Sequence, residues 1–457
     1  MADQFSVLIM AAGLGTRMRS ELPKVLHPVC GKPMVQWVID AARGAGAGAV
    51  VCVTRPGDGV EQGLPEGVSV ALQTEGEGTG SAVLAARDRL GQGGTVVVLS
   101  GDHPLISQTL IERLIATHSG EGATATILTS LELDPTGYGR IVRSANGSVE
   151  RIVETKYPDT VPAEVLDIRE INIGTYAFEG RDLVAALDRV EPNGGEVQLT
   201  DTFPILAESG RRVVTLETGD ALCALGINSR VELMEAEKFA QRQLIEQHAR
   251  AGVTFVSPMT TSVDVGVEIG EDTTIASGVS LRGATRIGRG CQLGPHTTVI
   301  DASVGDRVSA PHSYLVGCDV RDEATIGPFA YLRPGTVVHE GAKIGTFVEV
   351  KNSEIGRGAK VPHLSYIGDA EIGEESNVGA GNITANYDGR QKHRTKLGKR
   401  VKTGVNTSFV APVDVGDRAY TGAGSVITDD VPEGALGISR PEQKNVEGYT
   451  DRVEKDE

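Results

Sequence analysis

From Ile269 to Ile427 the chain places an aliphatic residue at nearly every sixth position. Ile269, Ile275, Leu281, Ile287, Leu293 and Val299 open the series. After a slip, Val320, Ile326, Leu332, Val338, Ile344 and Val350 continue it. Ile355, Val361 and Ile367, then Ile372 and Val378, follow with five-residue slips between the groups. The beat returns at Leu397, Thr403, Phe409, Val415, Thr421 and Ile427. Glycine follows the aliphatic residue at 269, 287, 326, 344, 355, 367 and 372. A period of six matches neither the 3.6-residue helix nor the two-residue strand. It predicts a parallel β-helix: each hexad makes one flat face, and three hexads close a triangular coil around the aliphatic side chains. Residues 379–398, GAGNITANYDGRQKHRTKLG, lack the beat, which predicts that the chain leaves the prism between Val378 and Leu397.

The first half follows a different pattern. FSVLIMAA, AVVCVTR and TVVVLSGD are short apolar runs bounded by turn residues, and MVQWVIDAARGAG has helical periodicity. Strands alternating with helices predict an α/β domain around a mostly parallel sheet covered on both faces. Ligands of such folds sit at the carboxyl ends of the strands, where a Gly-rich loop and Ser100-Gly101-Asp102 fall. INSRVELMEAEKFAQRQLIEQHAR has no Gly or Pro and predicts one long helix with Ser229 as N-cap. That helix either joins two bodies or closes the first. The resulting division is 1–229, a linker helix 230–250, and 251–457.

Composition narrows the function. The 457 residues suffice for two or three domains. With 58 glycines and 4% aromatics, the packing layers should be thin, aliphatic and rich in tight turns. A formal charge of −17 argues against non-specific nucleic-acid binding, which needs a basic surface. No run reaches the roughly 18 apolar residues of a membrane span, and MADQFSVLIM lacks the character of a signal peptide. Cys30, Cys52, Cys223, Cys291 and Cys318 form no CxxC pair and read as reduced thiols of a cytoplasmic protein.

MAAGLGTRM, residues 10–18, follows the first strand and precedes Pro23-Lys24. Gly13 and Gly15 permit close backbone approach to phosphates, and Arg17 and Lys24 supply cations for charge developing in phosphoryl transfer. The spacing is neither that of a dinucleotide fingerprint nor that of a P-loop.

Gly-x-Gly-Thr-Arg-Met followed by Pro-Lys resembles the signature of sugar-1-phosphate nucleotidyltransferases, with their Rossmann-like domain. Joined to a hexapeptide β-helix containing Asn-Tyr-Asp-Gly, nearly the full chain resembles a bacterial family. That family is the bifunctional N-acetylglucosamine-1-phosphate uridylyltransferases and glucosamine-1-phosphate acetyltransferases, whose β-helix is left-handed. The resemblance implies that Met10, Ala11, Ala12 and Gly13 contact UTP, and that Gln73, Gly78 and Thr79 recognise uracil. It further implies that Ser100, Gly101 and Asp102 line the site, with Asp102 and Asn228 binding Mg²⁺. Gly139, Glu154 and Asn172 match the sugar positions. Lys24 would neutralise the phosphates and Arg17 the departing pyrophosphate. His103 stands where the family pattern leads one to expect an apolar residue.

For the repeat, the resemblance implies acetyl transfer from acetyl-CoA to glucosamine-1-phosphate, with His363 as base. Arg333, Lys351, Tyr366 and Asn377 match its sugar-phosphate positions. Ala380, Asn386, Tyr387, Ala423 and Arg440 match its acetyl-CoA contacts, while Val405 replaces an expected serine. Arg333 and Lys351 are 18 residues apart, so the period alone predicts that they stack one coil apart. Lys392, His393, Arg394 and Lys396 add a local basic cluster apt for coenzyme phosphates. N-acetylglucosamine-1-phosphate would then be carried to UDP-N-acetylglucosamine, and the resemblance implies a homotrimer in which the interrupted segment reaches a neighbouring subunit. Two other readings stay open on sequence: a nucleotidyltransferase with a purely structural or regulatory β-helix, and a non-catalytic two-domain interaction subunit.

Overall fold

The computed structural model describes residues 5–90, 93–155, 157–192, 195–220, 222 and 225–454. Cys223, the first residues of the N-terminus and the last three of the acidic tail lie outside the described set. The chain forms two compact units, Met1–Ala240 and Gln241–Glu457, divided within the helix Arg230–Arg250. Among the described residues no helix is long and apolar enough to cross a membrane.

The first unit is built on a nine-stranded sheet. Its main path runs Val213–Glu217, Ala125–Ser130, Ile171–Glu179, Thr95–Ser100, Ser6–Met10, Ala49–Thr54 and Ser69–Leu72. The predicted strands pair in parallel, Ser6–Met10 lying between Ala49–Thr54 and Thr95–Ser100. The sheet is nevertheless mixed: Ile171–Glu179 runs antiparallel to both of its neighbours. A bulge between Asn172 and Tyr176 interrupts its register, at Gly174 with φ 81°. Apolar runs alone carry no strand direction, which is why this strand escaped the pattern. Helix Met34–Gly44 buries Met34, Val35, Val38, Ile39 and Ala42 on one stripe, as its periodicity requires. Helix Gln108–Gly120 packs beside it, with the Ser107 hydroxyl accepting the Leu110 N–H at 3.2 Å.

The second unit is a left-handed parallel β-helix whose faces are parallel sheets of seven, ten and nine short strands. Successive strands stack in register, as in Leu281↔Val299 and Ile326↔Ile344. The hexad residues Ile275, Leu281, Val299, Leu332, Ile344 and Val361 are buried in its core. Corner residues stack as well: His296, His312, Phe329, Phe347 and Leu364 all have positive φ. At other corners the backbone of adjacent coils approaches closely. A Cβ at Gly404 would lie 2.5 Å from the Ala423 amide nitrogen, so only glycine fits there.

The interruption is shorter than the lost beat suggested. Strand Ile383–Ala385 continues its face, with Tyr366↔Ile383 and Ile383↔Ser408 in register. The chain leaves the coil only over residues 386–394, before strand Thr395–Leu397 resumes. Inward-facing Asn382 and Thr384 replace aliphatic residues, and both are buried. Asn382 Nδ2 donates to the Gly404 carbonyl at 2.8 Å and its Oδ1 accepts from Thr403 at 2.6 Å. The Thr384 hydroxyl donates to the Gly368 carbonyl at 3.0 Å. Buried polar groups are tolerated when so paired, and a count of apolar residues does not register them.

Candidate active sites

In the first unit a cleft of about 530 Å³ opens at the carboxyl ends of the central strands. It is lined by Met10, Ala11, Ala12, Gly13, Lys24, Gln73, Gly78, Thr79, Ser100, Asp102 and Asn228, all expected from sequence. Gly15, at φ 59°, lets the Gly-rich loop close on Lys24: a Cβ there would lie 2.7 Å from Lys24 Cβ. Gly101 supports the cleft from behind, its N–H donating to the Met10 carbonyl at 2.9 Å.

The centre of the cleft is electrostatic. Lys24 Nζ is ion-paired to Asp102 and donates to Asn228 Oδ1 at 3.0 Å, joining residues far apart in sequence. Ser100 Oγ donates to the other Asp102 oxygen at 2.6 Å. Burial would raise the Asp102 carboxyl, but His103, Lys24 and the Ser100 hydrogen bond outweigh it and hold the pKa below its ordinary value. Burial in turn pushes His103 below its ordinary range, so the imidazole is neutral at pH 7 and Lys24 is the lasting counter-charge. His103 fits the departure from an apolar residue by packing against Gly226, where a Cβ would lie 2.5 Å from its Nε2.

Asn228 is held by the helix that follows it. Glu232 Oε2 accepts the N–H groups of Asn228 at 2.7 Å and Ser229 at 2.6 Å, while the Ser229 hydroxyl accepts the Glu232 N–H at 3.4 Å. This reciprocal capping box sets Asn228 beside Asp102, whose carbonyl also accepts the Ile227 N–H at 3.0 Å.

Gly139, Glu154 and Asn172 form a second cluster, outside the lining of that cleft. Asn172 donates its N–H to the Gly139 carbonyl at 2.9 Å and its Nδ2 to the Tyr176 hydroxyl at 2.8 Å. Burial raises the Glu154 carboxyl despite a hydrogen bond from Thr200. Arg17 sits exposed on the turn Thr16–Met18 and does not line the cleft. Sequence reasoning missed Arg55, Glu77, Glu196 and Gln198, which do. Arg55 Nε donates to the Ala12 carbonyl at 2.6 Å, bracing the Gly-rich loop, yet no motif marks it.

In the second unit Ala380, Ala423 and Arg440 of the candidate coenzyme residues follow one corner of the prism. Gly381 N–H donates to the His363 carbonyl, Asn406 N–H to that of Ala380, and Gly424 N–H to that of Val405. Arg440 Nη1 then reaches the Ala423 carbonyl at 3.0 Å. Val405 is exposed on this column. The His363 imidazole is exposed, and no hydrogen bond to it is seen among the described residues. Asn377 is exposed on the coil above Lys360, with which it pairs.

The cations gather on the adjoining face. The register Leu332↔Val350 sets Arg333 over Lys351, as the period predicted. Arg333 Nη1 pairs with Glu349 Oε1 at 2.9 Å and lies over the Tyr331 ring, 5.8 Å from its centroid. Lys392 comes from the excursion to meet Lys351, whose ammonium pushes that of Lys392 below its usual range; Tyr366 lies beside both Arg333 and Lys392. Asn386 is buried, whereas Tyr387 is exposed and donates its hydroxyl to the Gly389 carbonyl at 2.8 Å.

Residues 7–164 match the family of MobA-like NTP transferase domains. Relatives named bifunctional protein GlmU align along nearly the whole chain. One from Halalkalibacterium halodurans is 46% identical over 453 residues, covering 98% of this chain and 99% of that protein. One from Caldanaerobacter subterraneus is 45% identical, covering 99% of each. A third, from Mycobacterium tuberculosis, is 45% identical, covering 98% of this chain and 92% of that protein. With both units matched at this identity, the chain belongs to the family of bifunctional GlmU proteins.

Proposed function

We propose that the second unit N-acetylates glucosamine-1-phosphate from acetyl-CoA and the first transfers uridylyl from UTP to the product, making UDP-N-acetylglucosamine. Membership of a bifunctional family along both units supports the pair of activities. The observation that carries the assignment of sites is the convergence of Lys24, Asp102 and Asn228 beside the Gly-rich loop.

Two hard oxygens, from Asp102 and Asn228, converge there on one cation, the Lys24 ammonium. That donor set suits Mg²⁺, which keeps most of its positions for phosphate and water. When bound, the ion supplies charge neutralisation at phosphate oxygens. Lys24 and the Gly-rich loop hold the triphosphate in line, so that a sugar-phosphate oxygen forms the new bond to the α-phosphorus as pyrophosphate leaves. Arg17, outside the cleft lining, meets the leaving group only if its exposed turn folds inward. Gly139, Glu154 and Asn172 take the sugar.

In the second unit Arg333, Lys351 and Tyr366 hold the sugar phosphate and Asn377 the sugar. His363 takes the amine proton as nitrogen attacks the thioester carbon and the coenzyme thiolate departs. Ala380, Asn386, Tyr387, Ala423 and Arg440 carry the coenzyme. Phe329, Phe347 and Leu364, exposed by 53%, 59% and 62% along one corner, support a homotrimer; a stable, active monomer by light scattering would count against it. The buried thiols of Cys52, Cys291 and Cys318, none of them in a disulfide, support a cytoplasmic location.

An assay with glucosamine-1-phosphate, acetyl-CoA, UTP and Mg²⁺, following each product separately, tests the scheme. Supplying N-acetylglucosamine-1-phosphate without acetyl-CoA should restore the second step alone. Formation of a UDP-sugar without any acetyl transfer would favour a structural β-helix instead.

A further inference from the structure

Asp369 lies at a corner of the prism with φ 49°, is only 6% exposed, and touches both ends of the excursion over 386–394. One carboxylate oxygen accepts the side-chain amide of Asn386, where the excursion begins. Its main-chain carbonyl accepts the Thr395 N–H at 3.3 Å, where the excursion ends. The other carboxylate oxygen accepts Asn352 Nδ2 at 2.6 Å, and its own N–H donates to the Lys351 carbonyl at 3.0 Å. The excursion closes on itself above these ties: His393 N–H donates to the Asn386 carbonyl at 2.9 Å, and Tyr387 bridges Lys392. Asp388 tightens the tip by accepting from Arg390, Gln391 and His393.

This arrangement has an electrostatic consequence. Lys392 is delivered against Lys351, and two ammonium groups at close range repel each other. A tip hinged at exposed loop residues would swing Lys392 away from that contact. The Asp369 carboxylate faces both Lys351 and Lys392, and it holds the Asn386 end of the tip while the Asp369 main-chain carbonyl holds the Thr395 end. Asp369 shares its positive φ with the other corner residues of the prism, and from that corner its side chain and its carbonyl both reach the same segment.

We infer that Asp369 is the positioning residue of the acetyl-transfer site, fastening the excursion at both ends so that Asn386 stays on the coil and Lys392 stands against Lys351. The inference rests on the acetyl-transfer reading of this unit, and the test separates the two. Asp369→Ala removes both carboxylate contacts. Asp369→Asn removes the charge but keeps the shape, and the Asn386 amide can turn to present its oxygen to the new amide. Hydrogen exchange over 386–395 is measured on the full chain, together with acetyl-transfer kinetics against glucosamine-1-phosphate and with uridylyl transfer as a folding control.

The expected result is faster exchange of that segment in Asp369→Ala. Its acetyl-transfer kcat should fall about 10- to 100-fold, the scale of a misplaced reacting group. Asp369→Asn should stay within a few fold of wild type in both. A carboxylate acting only as counter-charge predicts the opposite: both variants alike, with a lower KM for the anionic sugar and kcat unchanged. That outcome overturns the inference, as does unchanged exchange in Asp369→Ala. Faster exchange with unaltered acetyl transfer also overturns it, by removing the excursion from the acetyl site while leaving the anchor intact. If Asp369→Ala does not fold, Asn386→Asp sets carboxylate against carboxylate at the same tie and should speed exchange there.

Discussion

Asp102→Ala tests the division of labour most directly. The carboxylate is the ionic partner of Lys24, and the two side chains are 11% and 12% exposed. Its removal leaves the ammonium with Asn228 Oδ1 at 3.0 Å as the partner still in place. Breaking a buried ion pair on one side costs about 3–5 kcal/mol. Lys24 lines an open cleft and can recover some hydration there, which places the loss toward the lower end, about 3 kcal/mol. For a unit of this size each kcal/mol lowers the melting point by about 2–4 °C, so a fall of roughly 6–12 °C is expected in the first unit. Uridylyl transfer should drop by at least about 100-fold, because a charge aimed at the phosphates and one of two convergent oxygens are lost together. Acetyl transfer should be near normal, since that reaction is assigned to the second unit and Asp102 belongs to the first. Differential scanning calorimetry of the full chain gives the melting shift, and pyrophosphate and free thiol release report the two reactions separately. A folded Asp102→Ala variant that loses both activities, or one that keeps uridylyl transfer within a few fold, would refute the reasoning.

Three further outcomes are expected. His363→Ala should lower acetyl transfer at saturating acetyl-CoA by about 100- to 10,000-fold and spare uridylyl transfer; a rate within a few fold of wild type removes it as the base. Gly404→Ala sets a Cβ 2.5 Å from the Ala423 amide nitrogen, a backbone atom that cannot yield without moving a coil. It should destabilise the β-helix by about 1–3 kcal/mol, and an unchanged melting transition would contradict the packing described. Burial pushes His27, His103 and His118 below their ordinary range. The unfolded chain takes up these protons near pH 6.5 and the folded chain only lower, so their stabilisation is whole above about pH 6.5 and is lost as pH falls below it. The melting point of the first unit should therefore decline from pH 7 toward pH 5, less steeply in His118→Gln; a flat wild-type profile would argue against it.

Periodicity carried much of the architecture. A six-residue aliphatic beat has one compact solution, because only a coil of flat faces returns every sixth side chain to a common interior. The Gly-rich turn and the Ser229 cap were legible for a similar reason: each is a local conformational requirement written in residues a few positions apart. Strand direction was not legible, since Ile171–Glu179 buries the same residue types whichever way it runs. Nor was the continuity of the prism past Val378, where Asn382 and Thr384 satisfy the interior by hydrogen bonds to other coils.

The sites divide along the same line. Residue types named the chemistry: a Gly-rich loop for phosphates, cations for charge, an imidazole for a proton. The meeting of Lys24 with Asn228, of Arg55 with Ala12, and of Asp369 with both ends of an excursion depends on where separate stretches of chain come to lie. Hydrogen bonds and ion pairs act over a few ångströms, while sequence records only the order along the backbone. Contacts between distant segments therefore came into view only once the chain was folded.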